Sequence, residues 1–170
     1  MSTPEVEPTE QVVQQLRKFL RQINVISVAT IDDSGLPHAI NAYFAADHQL
    51  NLFFVSDTAS AHCRHVVNRP RVAVTAFAPV RMWQQVRGVQ IHGNCSPIEP
   101  GMWDDVWSIY LDKFPQMAEI EQHIRASQFY WVQPTWIRWT DNSVHFGYKV
   151  ELDWPLPQSV SEHGRGASIV

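Results

Sequence analysis

The chain has little cysteine, little charge and no long apolar run. Cys63 and Cys95 are its only cysteines in 170 residues, and they do not form a CxxC pair. Nothing suggests a disulfide framework, and a reducing setting is the default expectation. Charged residues make up 18% of the chain, with a formal net charge of −4 and no basic tract. Nucleic acid is therefore not expected as a partner. So little charge also leaves apolar surface in need of a cover, which favours a dimer. No run approaches the ~18 apolar residues of a membrane span. The opening MSTPEVEPTE lacks the charged start and apolar stretch of a signal peptide, so a soluble, cytoplasmic protein is expected.

What is present fits one globular domain, with 45% hydrophobic residues and seven tryptophans. Residues 1–8 are rich in proline and glutamate and read as a loose arm. From Thr9, apolar residues at Val12, Val13, Leu16, Phe19, Leu20 and Ile23 form the stripe of an amphipathic helix. NVISVAT, LPHAINAYFAA and LNLFFVS read as three strands, the first two joined at DDSG. A short helix through SAHCRHVVN stops near Arg69-Pro70, because a residue before proline avoids the helical region. RVAVTAFA and VRGVQIHGNCSPI are the next strands, the second bent or bulged at Gly88 or Gly93.

PGMWDDVWSIYLDKF carries Trp103, Val106, Trp107, Tyr110, Leu111 and Phe114 at helical spacing, a stripe that reads as core. QMAEIEQHIRA reads as a second short helix. FYWVQPTWIRW and SVHFGYKVEL read as a closing hairpin about Asp141-Asn142, and residues 154–170 as a tail. The domain thus spans residues 9–153. It is mainly β with helices, a six- to seven-stranded antiparallel barrel whose closure removes exposed edges.

The stretch SAHCRHV, at 60–66, looks like half a metal site. A structural zinc site needs four ligands at matched spacings, and no second Cys/His pair completes one here. Two readings remain open: a helix start that meets a phosphate, and a solvated helix face.

The order of these signals resembles the FMN-binding split β-barrels related to pyridoxamine-phosphate oxidase. The resemblance rests on ATIDDSGLPHAINAYF, LFFVSDTASAHCRHVVNRPRVAV and VRGVQIHGNCSPI, and covers roughly residues 10 to 153. The second half is similar to a small bacterial branch of unassigned activity, through RGVQ, KFP and TDNSVHFGYK.

The resemblance implies FMN as cofactor, a homodimer with the ligand between protomers, and a set of contact positions. The strand at Ile40, Asn41, Ala42 and Tyr43 would run along the flavin ring. Val55 and Ser56 would approach its phosphate or ribityl oxygens, and the phosphate would sit at the helix start. There the family carries Ser-Arg-Lys, whereas this chain has Ser60, Ala61 and His62. A family glutamine on the fifth strand falls near Gly88, and Lys149 takes a place that faces the ligand or the partner chain. Asn41 and Lys149 read equally well as an ordinary strand asparagine and a solvated lysine.

The implied function is an FMN-binding, flavin-dependent oxidoreductase-like protein that needs no catalytic side chain of its own. The alternative is a binding module on the same barrel, with a degenerate FMN site. Trp83, Trp131 and Trp136 would then wall a pocket for another planar ligand, haem or a deazaflavin.

Overall fold

The computed structural model describes residues 8–156. In chain order it runs α1 (Pro8–Gln22), β1 (Val25–Ile31), β2 (Pro37–Ala46), β3 (Leu52–Ser56), α2 (Ala61–Asn68), β4 (Arg71–Phe77) and β5 (Arg87–Pro97). Then come α3 (Trp103–Lys113), α4 (Glu121–Arg125), β6 (Gln128–Asp141) and β7 (Lys149–Asp153). The sheet order is β3-β2-β1-β4-β5-β6-β7, every pairing is antiparallel, and β3 also pairs with β6. That last pairing closes a six-stranded barrel, the expected split-barrel architecture. β7 lies outside the closure, on the half of β6 that β3 leaves free.

The apolar stripe of α1 is buried in the main core with the inward residues of the strands, among them Ile26, Phe44, Phe54, Val74, Ile91 and Trp139. Phe19 meets Trp139 edge-on at 5.0 Å between ring centroids. Full burial of one such side chain is worth about 1.5–3 kcal/mol, so this stripe is a principal anchor. No glycine ends α1. Lys113 instead donates to the carbonyls of Leu20 at 2.9 Å and Ile23 at 2.5 Å, with its Nζ 3.8 Å over the Phe44 ring. Burial pushes the Lys113 ammonium down to about 8, while the helix carbonyls and the ring face favour its charge.

α3 covers the outer side of β2, β3 and β6. Val106, Trp107, Tyr110 and Phe114 pack there against Ala45, Phe53 and Phe129, as the helical stripe predicts. The expected second short helix is divided: Pro115–Ile120 is a tighter 3-10 helix, and α4 holds only five residues.

The closing hairpin differs from expectation. SVHFG is loop, and the return strand begins only at Lys149. Asp141 captures the turn, its Oδ1 accepting from the Ser143 amide at 2.9 Å, the Ser143 hydroxyl at 2.6 Å and Arg87 Nε at 3.1 Å. Burial alone would raise this carboxyl, but these bonds from Ser143 and Arg87 hold it below the usual carboxylate range. Asn142 Oδ1 accepts from the Gly147 amide, and Gly147 sits at φ 76°, where a side chain would be strained.

The expected arm (1–8) and tail (154–170) fall mostly outside the described residues. Pro8 already belongs to α1. At the other end Trp154 donates its indole N–H to the Gln49 carbonyl at 3.0 Å, and Leu156 packs on the main core. The tail's first residues are therefore docked rather than loose.

The bulge in β5 lies between His92 and Gly93, the second of the two expected places. A Cβ on Gly93 would stand 2.5 Å from the Gln133 carbonyl oxygen, so the two strands approach there as only glycine permits. Gly93→Ala is expected to cost about 2 kcal/mol or more and to lower the melting temperature by about 4–8 °C. Differential scanning calorimetry on both proteins checks this, and an unchanged melting temperature would contradict the close approach.

Candidate functional site

β3 is only five residues long and serves two neighbours. It pairs with β6 along its whole length but with β2 only through Leu52, Phe53 and Phe54. Among the described residues, the 37–43 stretch of β2 therefore has β1 on one edge and no strand on the other. The Phe44 amide points toward β1, where it donates to the Asn24 carbonyl at 3.2 Å. Alternation along the strand then sends the N–H and C=O of Asn41 and Tyr43 to the open edge. Tyr43 O has the Tyr110 hydroxyl 3.5 Å away, and the Tyr43 ring meets Phe114 edge-on at 5.6 Å.

Where β3 ends, the chain turns into α2. Asp57 shapes that turn by accepting from the Ala59 amide at 2.8 Å on its carboxylate and from the Ser60 amide at 3.0 Å on its carbonyl. Ser60 is the N-cap residue, extended at φ −70° and ψ 153°, and its side chain makes no capping bond. The Ser60 hydroxyl instead donates to Asp57 O at 2.7 Å. Among the described residues no side chain closes off the first-turn amides of α2, which a helix cannot satisfy internally.

Ser56, Ser60 and His62 come together here. His62 Nε2 lies 2.7 Å from Ser56 Oγ and 3.2 Å from Ser60 Oγ, and the two hydroxyls are 3.3 Å apart. Burial holds the His62 imidazole below its usual value, helped by the nearby His38 and His65 rings. Ala61 opens the helix and adds only its amide.

Several neighbours stand outside the expected set of site residues. Arg64 folds back and donates Nη1 to the Ala59 carbonyl, which returns its guanidinium to the loop before the helix. His65 Nδ1 is 3.0 Å from the buried Thr30 hydroxyl, and its ring meets His38 edge-on at 5.6 Å. Register carries the missing signal: in the β1–β2 hairpin Thr30 stands opposite His38, on the side that α2 covers.

The expected site residues divide into two groups. Ile40, Asn41, Ala42 and Tyr43 lie on the β2 segment with the open edge. Val55 and Ser56 end β3, and Ser60, Ala61 and His62 start α2. The Asn41 side chain, however, faces the outer sheet, where its Oδ1 accepts from Ser27 Oγ at 2.6 Å; the backbone of Asn41 is what reaches the open edge. Gly88 and Lys149 stand elsewhere, in one row of pairs, Phe77–Gly88–Thr140–Lys149, across four strands. Ser56 pairs with Gln128 at the opposite end of β6, about 40 Å of strand path away at ~3.3 Å per residue. One chain does not bring the two groups together.

The three candidate tryptophans have separate surroundings. Trp83 is exposed beside Phe146, Trp131 stacks on Phe53 and donates to Ser96 Oγ, and Trp136 stacks on His92. Among the described residues, no group of three or more His, Cys, Asp or Glu is placed to hold a metal. No described helix is long and apolar enough to cross a membrane.

The UPF0306 protein of Pasteurella multocida is 25% identical over 146 residues, covering 85% of this chain and 92% of its own. Two solved structures share the fold at 16% identity. A haem-binding protein of Mycobacterium smegmatis superposes with a TM-score of 0.69 over 90% of this chain and 60% of that one. The haem storage protein HutZ of Vibrio cholerae gives 0.61 over 71% and 88%. From residue 12, within α1, to residue 141, the end of β6, the chain matches the family model of pyridoxamine 5'-phosphate oxidase. That stretch holds the whole barrel and both sides of its split, and the chain belongs to this family.

Proposed function

We propose that the chain is an FMN-binding protein of the flavin-dependent oxidoreductase type, working as a homodimer. One observation carries the reading: the open edge of β2 and the uncapped start of α2, with Ser56, Ser60 and His62, border the same split. The donor set suits a phosphate, because hydroxyls, helix amides and an imidazole converge where the helix dipole favours an anion. The Arg64 guanidinium is held nearby. The backbone of Asn41 and Tyr43 offers donors and acceptors to the polar rim of a flat ring. FMN, when bound, supplies hydride and electron transfer, while the protein positions it and excludes water.

The homodimer reading rests on the outer face of β1, β2 and β4. Its centre is small and uncharged, with Ser27, Ala29, Ala39, Asn41, Ala73 and Thr75, and its borders are the exposed Val25, Ile31, Tyr43 and Phe77. A second copy laid there would cover that surface and supply the Gly88 and Lys149 contacts that one chain cannot. Haem in the same split is the second reading, favoured by the imidazoles of His38, His62 and His65 as sources of an axial ligand.

Light scattering at micromolar concentration is expected to give twice the chain mass, and Lys149→Ala is expected to weaken FMN binding. A mass of one chain would overturn the dimer.

The phosphate cradle has its own test. Burial lowers His62 in the free protein, and a phosphate dianion beside it favours the charged form. Binding then takes up a proton. Affinity should rise as pH falls from about 8 through 6.5, until phosphate protonation near pH 6 opposes it. Restoring the family pair with Ala61→Arg and His62→Lys should tighten binding about tenfold and flatten the pH dependence, each charge-assisted bond being worth ~1.5–3 kcal/mol. FMN fluorescence titrations of both proteins at several pH values decide. Equal affinities, or no FMN bound by either, would mean that the helix start is a solvated face.

A further inference from the structure

A groove of about 430 Å³ lies where the β2–β3 turn, the middle of β6 and the chain after β7 meet. The pairing of Phe53 with Trp131 puts both rings on the outer side of β3 and β6, stacked 6.3 Å apart between centroids. Two residues further along β6, Gln133 falls on that same side. Trp154 forms another wall. Its backbone amide donates to the Thr135 carbonyl and its indole N–H to the Gln49 carbonyl, each at 3.0 Å. Gln49 and Asn51 come from the turn, where Asp47 Oδ1 accepts from both of their backbone amides at 2.9 Å. Trp131, expected beside Trp83 and Trp136, thus shares its groove with Trp154 instead.

The lining has two chemical halves. Trp131, Trp154 and Pro155 offer flat apolar surface, and Gln49, Asn51 and Gln133 offer amides. Among the described residues, no charged side chain lines the groove. Both indole N–H groups are already engaged, Trp131 with Ser96 Oγ at 2.7 Å and Trp154 with Gln49. The tryptophans therefore contribute ring surface alone. Asn51 gives its Nδ2 to Asp47 at 2.8 Å and keeps its Oδ1. Among the described residues, the side-chain amides of Gln49 and Gln133 have no partner, and each amide both donates and accepts. A ligand matched to this set is uncharged, has an apolar face, and carries neighbouring groups that also both donate and accept. Vicinal hydroxyls on a saturated ring have that property. The carbonyls of a proline-rich peptide only accept, and the indole donors that would serve them are taken.

We propose that this groove binds a neutral sugar. The C–H face of a pyranose ring rests on the indoles, and its hydroxyls bond to the Gln49 and Gln133 amides and to Asn51 Oδ1. The volume suits such a ligand, small-molecule sites spanning roughly 300–1,000 Å³. The groove shares no residue with the Ser56, Ser60 and His62 cluster, with the sheet face offered to a second copy, or with Gly88 and Lys149. Asn51 and Gln133 lie beyond the Leu52–Val132 pair, at the other end of β3 from Ser56. The dimer proposed above leaves this groove open.

The test uses the full chain with methyl β-D-glucopyranoside, and with tetrahydropyran, the same ring without hydroxyls. Titrations followed by saturation-transfer NMR give affinities and show which ligand protons touch the protein. The glucoside is expected to bind saturably, in the millimolar range, and about tenfold more tightly than tetrahydropyran. Its strongest saturation is expected on the C–H protons of one ring face. Gln49→Ala and Gln133→Ala, both at exposed positions, are each expected to weaken it about fivefold, the loss of one neutral hydrogen bond. Trp154→Ala is expected to abolish binding, with circular dichroism as the check on its fold; should it not fold, the two glutamine variants decide. Equal binding of the glucoside and tetrahydropyran, undiminished binding by both glutamine variants, or no saturable binding by the folded chain would each overturn the assignment. Displacement of the glucoside by an equimolar hexaproline peptide would overturn it in favour of a peptide groove.

Discussion

The pairing of β3 with β6 is the constraint on which the rest of the molecule depends. Five residues, Leu52 to Ser56, must close the barrel against Val132 to Gln128. A strand committed to that edge cannot also follow β2 over its ten residues, so the β2–β3 ladder stops at Phe44 and Phe54. Closure removes one open edge and creates another, shorter one. The open stretch of β2 and the helix start that follows β3 are direct consequences, and the candidate site consists of little else.

Packing keeps that split from collapsing. On one side α3 lies over β2 and β3, and Tyr43 and Phe53 are held by Phe114, Tyr110 and Trp131. On the other, Cys63 and Val66 anchor α2 in the main core. Lys113 joins the two layers, since it belongs to α3 yet closes the carbonyls of α1 and covers the Phe44 ring. A short cation–carbonyl contact of this kind costs desolvation, visible in its lowered ammonium value. Arg21 in the last turn of α1 pairs with Asp112, which leaves Lys113 to close the Leu20 and Ile23 carbonyls.

Local periodicity made much of this legible. The α1 stripe, the α3 stripe and the strand alternation are patterns within 15 residues or fewer, and they fold as read. The stop of α2 before Arg69-Pro70 is equally local. SVHFG misleads because it alternates like a strand, while Asp141 and Asn142 bend it through the Ser143 and Gly147 amides, and Arg87, which braces Asp141, lies 54 residues away. The choice of Gly93 over Gly88 for the bulge depends on the Gln133 carbonyl, again a distant partner. At the site, Ser56, Ser60 and His62 are close in sequence and could be named together. His38 and Thr30 reach His65 only through the hairpin register, and Arg64 counts only because its side chain turns back to Ala59. Gly88 and Lys149 came from resemblance, and their separation from the helix start follows from the length of β6, which no motif records.

The visible absorption spectrum of the purified full chain, taken after incubation with FMN, gel filtration and then denaturation, tests the central claim most directly. The expected result is a flavin spectrum that travels with the protein through the column and is released as free FMN on unfolding, at about one flavin per chain. A haem spectrum without flavin, or a protein that leaves the column colourless after FMN loading, would contradict it.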